Sequence, residues 1–485
     1  MTDIALEPAH RLARRIKAKE IGCTELLEAC LSRLERFNPT LNAVIWQDLE
    51  QARSRAQEAD AALARGEDWG PLMGIPTTIK ESYDFAGAPT TWGIPAYADT
   101  RAAAHSVATQ RLLDAGAVIY GKTNVPLYLS DWQSYNTIYG TTNNPWDLSR
   151  TPGGSSGGSA VALATGMTAM EIGSDIGASI RNPAHYNGVC GHKPTHNIVP
   201  LRGHTTGGSL SHPDISVGGP LARSVTDLEI ALDVLAGPDE IEAAGWRLEL
   251  PAPRATAIKD FRVAVMVDDA CVATDREYQQ KILDLAKALE KAGATVSLTA
   301  RPEIDMARAF WVYIRLLRAF TMGRLPDEDR AIWAQRLAAL DPSAEGRFAD
   351  VVRASHLSHK DWLDVHEERE QHRWAWHRFF QDWDVLLSPV AAGPAFPHDQ
   401  EVERIFRTIE VNGAQENTTD QLFWAGLFGV VSLPSTVCPL PLHSSGLPLG
   451  LQIVGPQFGD RTTLALGKLI EATFGGYRPP PGYEG

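Results

Sequence analysis

The sequence predicts an α/β protein: a sheet covered by helices on both faces, preceded by a helical region and interrupted by a helical insertion. Three observations carry this expectation. From about residue 70, short apolar runs alternate with Gly/Pro turns and helix-like stretches, the texture of strands alternating with helices. The residues before that point follow a helical period instead. Residues 302–383 turn helical again and are rich in charge and Trp.

In chain order, Leu12, Ile16, Ile21, Leu26, Leu27, Cys30, Leu31 and Leu34 recur at roughly helical spacing among charged residues. The Ala-rich, charged run at 51–65 also suits a helix, so residues 1–65 read as an N-terminal helical region. Strands are expected at 75–79, 118–120 and 171–172, with helices at 106–115 and 159–164 between them. A β-α-β-like unit follows, with strands at 262–267 and 294–298 around an amphipathic helix at 275–292. The α/β texture returns at 384–388 and 451–454 and closes with a helix near 461–472. The chain contains no internal repeat. It reads as one domain over 1–485, with a core at 70–235 and 384–485 and a variable lobe or insertion at 240–383.

Composition bounds the function. The 485 residues are 44% hydrophobic, enough for a large core and ordinary for a soluble globular protein. A formal net charge of −14 disfavours a general nucleic-acid binder, which needs a basic face for phosphates. The five cysteines (Cys23, Cys30, Cys190, Cys271 and Cys438) are scattered and lack CxxC spacing. This argues against a disulfide framework or a zinc site and for a reducing compartment. His366, His372 and His377 share no metal-ligand spacing, and Glu370 stands where HExxH needs its second His. No metal and no cofactor is expected. The first fifteen residues have no apolar h-region, and no apolar run is long enough to span a bilayer. The expected location is cytoplasmic.

The most unusual segment runs from Thr151 to Ser159, Thr-Pro-Gly-Gly-Ser-Ser-Gly-Gly-Ser. A flexible linker is one reading, but a small-residue helix follows at once. A phosphate-binding loop is a second, but the Gly-Lys-Ser/Thr ending is missing. A nucleophile elbow is a third, because Gly153-x-Ser155-x-Gly157 fits G-x-S-x-G. That motif needs a strand before the serine, and residues 143–152 are polar and turn-forming. The fourth reading uses context. Gly173-Ser-Asp-Ile-Gly-Ala-Ser179 places a second serine among small residues. Gly74-Ile-Pro-Thr-Thr-Ile-Lys80 places a lysine straight after an apolar run. Burial favours a neutral lysine, which can serve as the base in Ser-Lys variants of the serine triad.

Together the segments 74–81, 140–147, 152–160 and 173–183, with Gly191-His-Lys-Pro-Thr195, resemble the amidase signature family. The resemblance covers most of the chain and is weakest from about 240 to 380. It implies the family's fold, a large mixed central sheet covered by helices on both faces. It also implies a Ser–cis-Ser–Lys triad, with Ser179 as nucleophile, Ser155 as the bridging cis-serine and Lys80 as base. The separation of the two serines matches the family's. Oxyanion donors are implied at the backbone N–H groups of Ile176, Gly177, Ala178 and Ser179. The family usually has Gly-Gly-Ser where this chain has Gly-Ala-Ser, so a positive φ at Ala178 would strain that loop.

The segment that lines the family's acyl pocket corresponds to 129–135, which makes Leu129, Asp131, Gln133 and Tyr135 candidates for substrate contact. Asp131 would favour a cationic group. Ser156 and Ser159 are expected to cap the following helix, Asp175 and Arg181 to pair and hold the loop, and Asn144 and Asp147 to shape a turn. Trp311, Trp333, Trp362, Trp374, Trp376 and Trp383 either wall a pocket or pack a core. The expected partner is a small-molecule amide, with no nucleic acid and no membrane; a homodimer stays open. The rival activities are carbamate or ester hydrolysis with the same triad, and the glutamine-hydrolysing component of a tRNA-dependent amidotransferase. Those components read Tyr-Gly-Arg-Val-Ser after Lys-Pro-Thr, where this chain has His196-Asn-Ile-Val-Pro200, which favours a free-standing amidase. A binding protein on the same scaffold is a third class, and intact Lys80, Ser155 and Ser179 argue against it.

Overall fold

The computed structural model describes residues 3–205 and 208–484. Its centre is a mixed sheet of eleven strands. Their spatial order is Val44–Gln47, Val118–Thr123, Pro76–Lys80, Met170–Asp175, Val217–Ala222, Cys190–Lys193, Ser435–Pro439, Gly450–Val454, Val385–Ser388, Arg262–Val265 and Thr295–Ser297. Pro76–Lys80 runs parallel to both of its neighbours. Arg262–Val265 is likewise parallel to Val385–Ser388 and Thr295–Ser297, and the remaining pairs are antiparallel.

Alternate residues of the central strands face two different cores, as a strand buried on both faces requires. Val263, Val265, Val385, Leu387, Leu451 and Ile453 pack into one. Ala264, Leu386 and Val454 pack into the other. Helices Val225–Leu235, Arg276–Lys291 and Asp460–Phe474 supply apolar faces to the first core. Helices Met306–Gly323, His359–Asp382 and Leu422–Gly429 supply the second. This is the expected α/β sheet with both faces covered.

The strands expected at 75–79, 118–120 and 171–172 are the Pro76–Lys80, Val118–Thr123 and Met170–Asp175 strands. Four strands of the sheet were not anticipated. The N-terminal region is not wholly helical: between helices Cys23–Leu41 and Leu49–Ala64, Val44–Gln47 pairs with Val118–Thr123 at the sheet edge. Four residues are too short for a periodic signal. Cys190–Lys193, Val217–Ala222 and Ser435–Pro439 are hidden by Gly, Pro, His and Ser, yet lie mid-sheet, where pairing on both sides overrides their weak propensity. The 240–383 segment is also not uniform. Its β-α-β unit extends the sheet through Arg262–Val265 and Thr295–Ser297. The helical insertion begins only at Met306, with helices Met306–Gly323, Asp327–Ala339, Arg347–Ala354 and His359–Asp382. Asp305 and Ser358 cap the first and last of these, accepting from Arg308 N–H and Asp361 N–H.

Candidate active site

Parallel pairing brings the ends of Pro76–Lys80 and Met170–Asp175 to the same edge of the sheet, where α/β sheets place their sites. Lys80 is the last residue of its strand and is fully buried. Its Nζ donates to Ser155 Oγ at 2.7 Å and to Ser174 Oγ at 2.9 Å. Burial lowers its pKa to about 7, against the opposing pull of the Asp175, Glu171 and Glu81 carboxylates. A buried amine with a pKa near neutrality exchanges a proton readily at physiological pH.

Ser155 follows a cis peptide from Gly154 and precedes helix Gly157–Ala164. The glycines around it mark close packing. A Cβ on Gly154 would lie 2.3 Å from the Asp131 carbonyl oxygen, and one on Gly158 would lie 2.5 Å from the Asn124 nitrogen and 2.7 Å from the Ala43 oxygen. Every residue from Thr151 to Thr165 is buried, so the linker reading is excluded. Ser156 and Ser159 do not cap the helix. Ser156 Oγ approaches the Ser174 carbonyl at 3.4 Å and Ser159 Oγ bonds Thr123 Oγ1 at 2.9 Å. The acceptor for Gly157 N–H is Ser134 Oγ, from outside the motif.

Ser179 lies on the loop between strand Met170–Asp175 and helix Arg181–Asn187. Asp175 shapes that loop. Its carboxylate accepts from the N–H groups of Ala178 at 3.0 Å, Ile180 at 3.1 Å and Arg181 at 3.3 Å, and from the Arg181 guanidinium at 2.8 and 3.0 Å. Burial alone would raise the Asp175 carboxyl; Arg181, Lys193 and the backbone N–H groups hold it below the usual range instead. Ala178 has φ +69, a left-handed conformation that glycine adopts freely and alanine does not. Its N–H is directed at Asp175, so the expectation that Ala178 donates to an oxyanion is corrected. Among the described residues, the N–H groups of Ile176, Gly177 and Ser179 have no acceptor in the protein.

Ser155, Ser174, Ser179, Ile176 and Gly177 line one wall of a cavity with about 640 Å³ of empty space including its mouth. Leu129 and Asp131 line it as expected. Gln133 does not: it is buried, with both ends of its amide bonded to the backbone of Asp399. Tyr135 is also turned away, its hydroxyl accepting from Arg407 at 2.9 Å. Asp131 forms an ion pair with the same arginine, so its charge is already neutralised and does not select a cation. Asn144 and Asp147 shape a turn, accepting from Trp146 N–H and Ser149 N–H.

The tryptophans of 302–383 are absent from the cavity wall. Trp376 is core, stacked on Phe380, and Trp311 lies between Arg308 and Arg315. The insertion contributes Leu317, Arg318, Phe320 and Thr321 instead, and Trp92 and Trp132 are among the lining residues from other parts of the chain. Ser174, Arg318 and Arg404 are site residues that motif reading missed. Ser174 had a signal, being in the same Gly-Ser-Asp run as Asp175. The arginines had none, because only tertiary packing carries them there.

This sheet, with a buried lysine and two loop serines at one edge, is an amidase-signature fold. The chain belongs to the Amidase family, whose profile matches residues 25–464. It is 33% identical to indoleacetamide hydrolase of Bradyrhizobium diazoefficiens over 95% of this chain and 85% of that protein. It is 30% identical to an acylamidase of Rhodococcus erythropolis over 96% of this chain and 94% of that one. It is also 32% identical to one component of the glutamyl-tRNA(Gln) amidotransferase of Mycobacterium ulcerans, over 98% of this chain and 99% of that one. The solved structure of 6-aminohexanoate cyclic dimer hydrolase complexed with substrate superposes with a TM-score of 0.80 at 25% identity, covering 99% of this chain and 100% of that one. Among the described residues, no helix is long and apolar enough to cross a membrane.

Proposed function

We propose that this protein is an amidase that hydrolyses the C–N bond of a small carboxamide through an acyl-enzyme on Ser179. The observation that carries the reading is the fully buried Lys80, bonded at 2.7 Å to Ser155 beside the cavity that Ser179 lines. Neutral Lys80 takes a proton relayed through the Ser155 hydroxyl as Ser179 Oγ attacks the carbonyl carbon. The N–H groups of Ile176, Gly177 and Ser179 are the donors available to the developing oxyanion. Collapse of the tetrahedral intermediate breaks the C–N bond, and Lys80 returns the proton through Ser155 to the leaving nitrogen. Water then attacks the acyl-enzyme by the same relay and releases the acid. The reading calls on no cofactor.

Kinship to an indoleacetamide hydrolase and the His196-Asn-Ile-Val-Pro200 segment support a free-standing enzyme over an amidotransferase component. The test is covalent labelling with a fluorophosphonate. Wild type is expected to carry the adduct on Ser179 and to turn over an anilide panel without a partner protein, whereas Ser179→Ala does neither. Folded wild-type protein that stays unlabelled would sink the proposal. Glutaminase activity appearing only with a co-purifying partner would move the chain to the amidotransferase class.

A further inference from the structure

We infer that the cavity beside Ser179 binds a carboxylate at Arg318, so that the substrate is an amide carrying an anionic group away from the bond that is cut. The inference deepens the amidase reading and rests on it.

Six arginines of the described residues are buried: Arg33, Arg181, Arg223, Arg318, Arg369 and Arg407. Five have acceptors in the protein. Arg33 bonds Asp3, Arg181 bonds Asp175, Arg369 bonds Asp214 and Arg407 bonds Asp131. Arg223 donates to the carbonyl oxygens of Leu163, Thr168 and Glu7. Arg318 is the exception. It is 7% exposed, and its buried Nε has no hydrogen-bond partner among the described residues. It lies in the wall of the cavity that also exposes Ser155 and Ser179.

The surrounding charges increase the mismatch. Burial pushes the Arg318 guanidinium down to about 9, the positive charge of Arg404 pushes the same way, and only the Tyr313 phenol opposes them. Arg404 shares the cavity wall, and Asp131, the one carboxylate there, is committed to Arg407. His204, also in the wall, is held neutral by burial and by Lys80, its pKa lowered to about 3. A chain of net charge −14 thus lines its substrate cavity with an uncompensated positive charge. Burying a cation without a partner is strongly unfavourable. A guanidinium fork recovers this when a carboxylate docks on it in a bidentate pair. Trp132, Leu317, Phe320 and Leu422 give the same cavity apolar lining, which suits a substrate with an alkyl or aryl body beside its anion and its amide. Binding energy from that remote end is then available to orient the carbonyl at Ser179.

The experiment compares kcat/KM for two acid–ester pairs. One pair is the monoanilide of a dicarboxylic acid and its methyl ester, with the anion on the acyl side. The other is an N-acyl amino acid and its methyl ester, with the anion on the leaving side. Wild type should prefer the acid of one pair on the order of 100-fold, the scale of a charge-assisted hydrogen-bond pair. Arg318→Met should bring that ratio near one. An equal or reversed preference for the ester in both pairs, or an unchanged ratio in Arg318→Met, overturns the inference. If Arg318→Met fails to fold, protection of the wild type decides. A dicarboxylic monoamide should slow fluorophosphonate labelling of Ser179 more than its methyl ester does, and equal protection overturns the inference. Labelling of wild type in the same assay keeps the two readings apart. Labelled protein without acid preference refutes only the carboxylate site, and unlabelled protein refutes the amidase.

Discussion

Lys80 carries the proposed chemistry because of where its side chain ends. An exposed lysine holds its proton to well above neutrality, whereas burial brings this one to about 7. The sign of the pH dependence follows. The working base is the neutral form, so kcat/KM should fall as pH drops through about 7 and level off above it. Initial rates from pH 5 to 9 check this, and a profile flat from 6 to 8 would assign the base elsewhere. Lys80→Ala should lower kcat/KM by about 10²–10⁴, the range of general-base catalysis; a loss below tenfold would contradict the role. Ala178 has a different part. Its left-handed φ costs an L-residue about 1–2 kcal/mol relative to glycine, and the Asp175 bond to its N–H holds it there. Its N–H serves to shape the loop that presents Ser179.

At the scale of elements, the serine loops are held by side-chain acceptors, one from outside the two motifs and one from within. Ser134 supplies the acceptor for Gly157 N–H, and Asp175 ties the N–H groups of Ala178, Ile180 and Arg181 to one carboxylate. The glycine-rich run looks flexible in sequence, yet backbone atoms of Ala43, Asn124 and Asp131 crowd it. Gly158→Ala tests this directly. The three atoms nearest the added Cβ are all backbone, from Asn124 and Ala43, so moving a side chain aside does not relieve the closest contacts. Overpacking of this kind costs about 1–3 kcal/mol. Urea denaturation should show that loss, and fluorophosphonate labelling of Ser179 should slow as the loop shifts. A variant as stable and as reactive as wild type would mean that the loop yields.

At the scale of the whole molecule, the insertion is bound to the sheet through an aromatic core and supplies a wall of the cavity. Trp376, on the long helix His359–Asp382, is fully buried against Phe379, Phe380 and Phe428. Trp376→Ala should cost about 3–5 kcal/mol, measured by chemical denaturation, and should weaken substrate binding by loosening the helix that carries Arg318. A loss below about 1 kcal/mol, the scale of a surface substitution, would show that the insertion docks without this core. Residue type and spacing along the chain predicted the α/β class and the helical insertion, and pointed to Lys80, Ser155 and Ser179 as the candidate triad. These rest on apolar periodicity and on short motifs, in which residue type and spacing are local properties of the chain. Tertiary structure alone decided the strands Cys190–Lys193, Val217–Ala222 and Ser435–Pro439, which are strands because partners flank them on both sides. It decided that Gln133 and Tyr135 turn away from the cavity while Ser174 bonds Lys80. It reversed the meaning of Asp131, because a carboxylate's effect on a ligand depends on whether another side chain has already neutralised it. Arg407 does so from 276 positions away, a pairing no local pattern records, whereas the buried Arg318 Nε has no partner among the described residues.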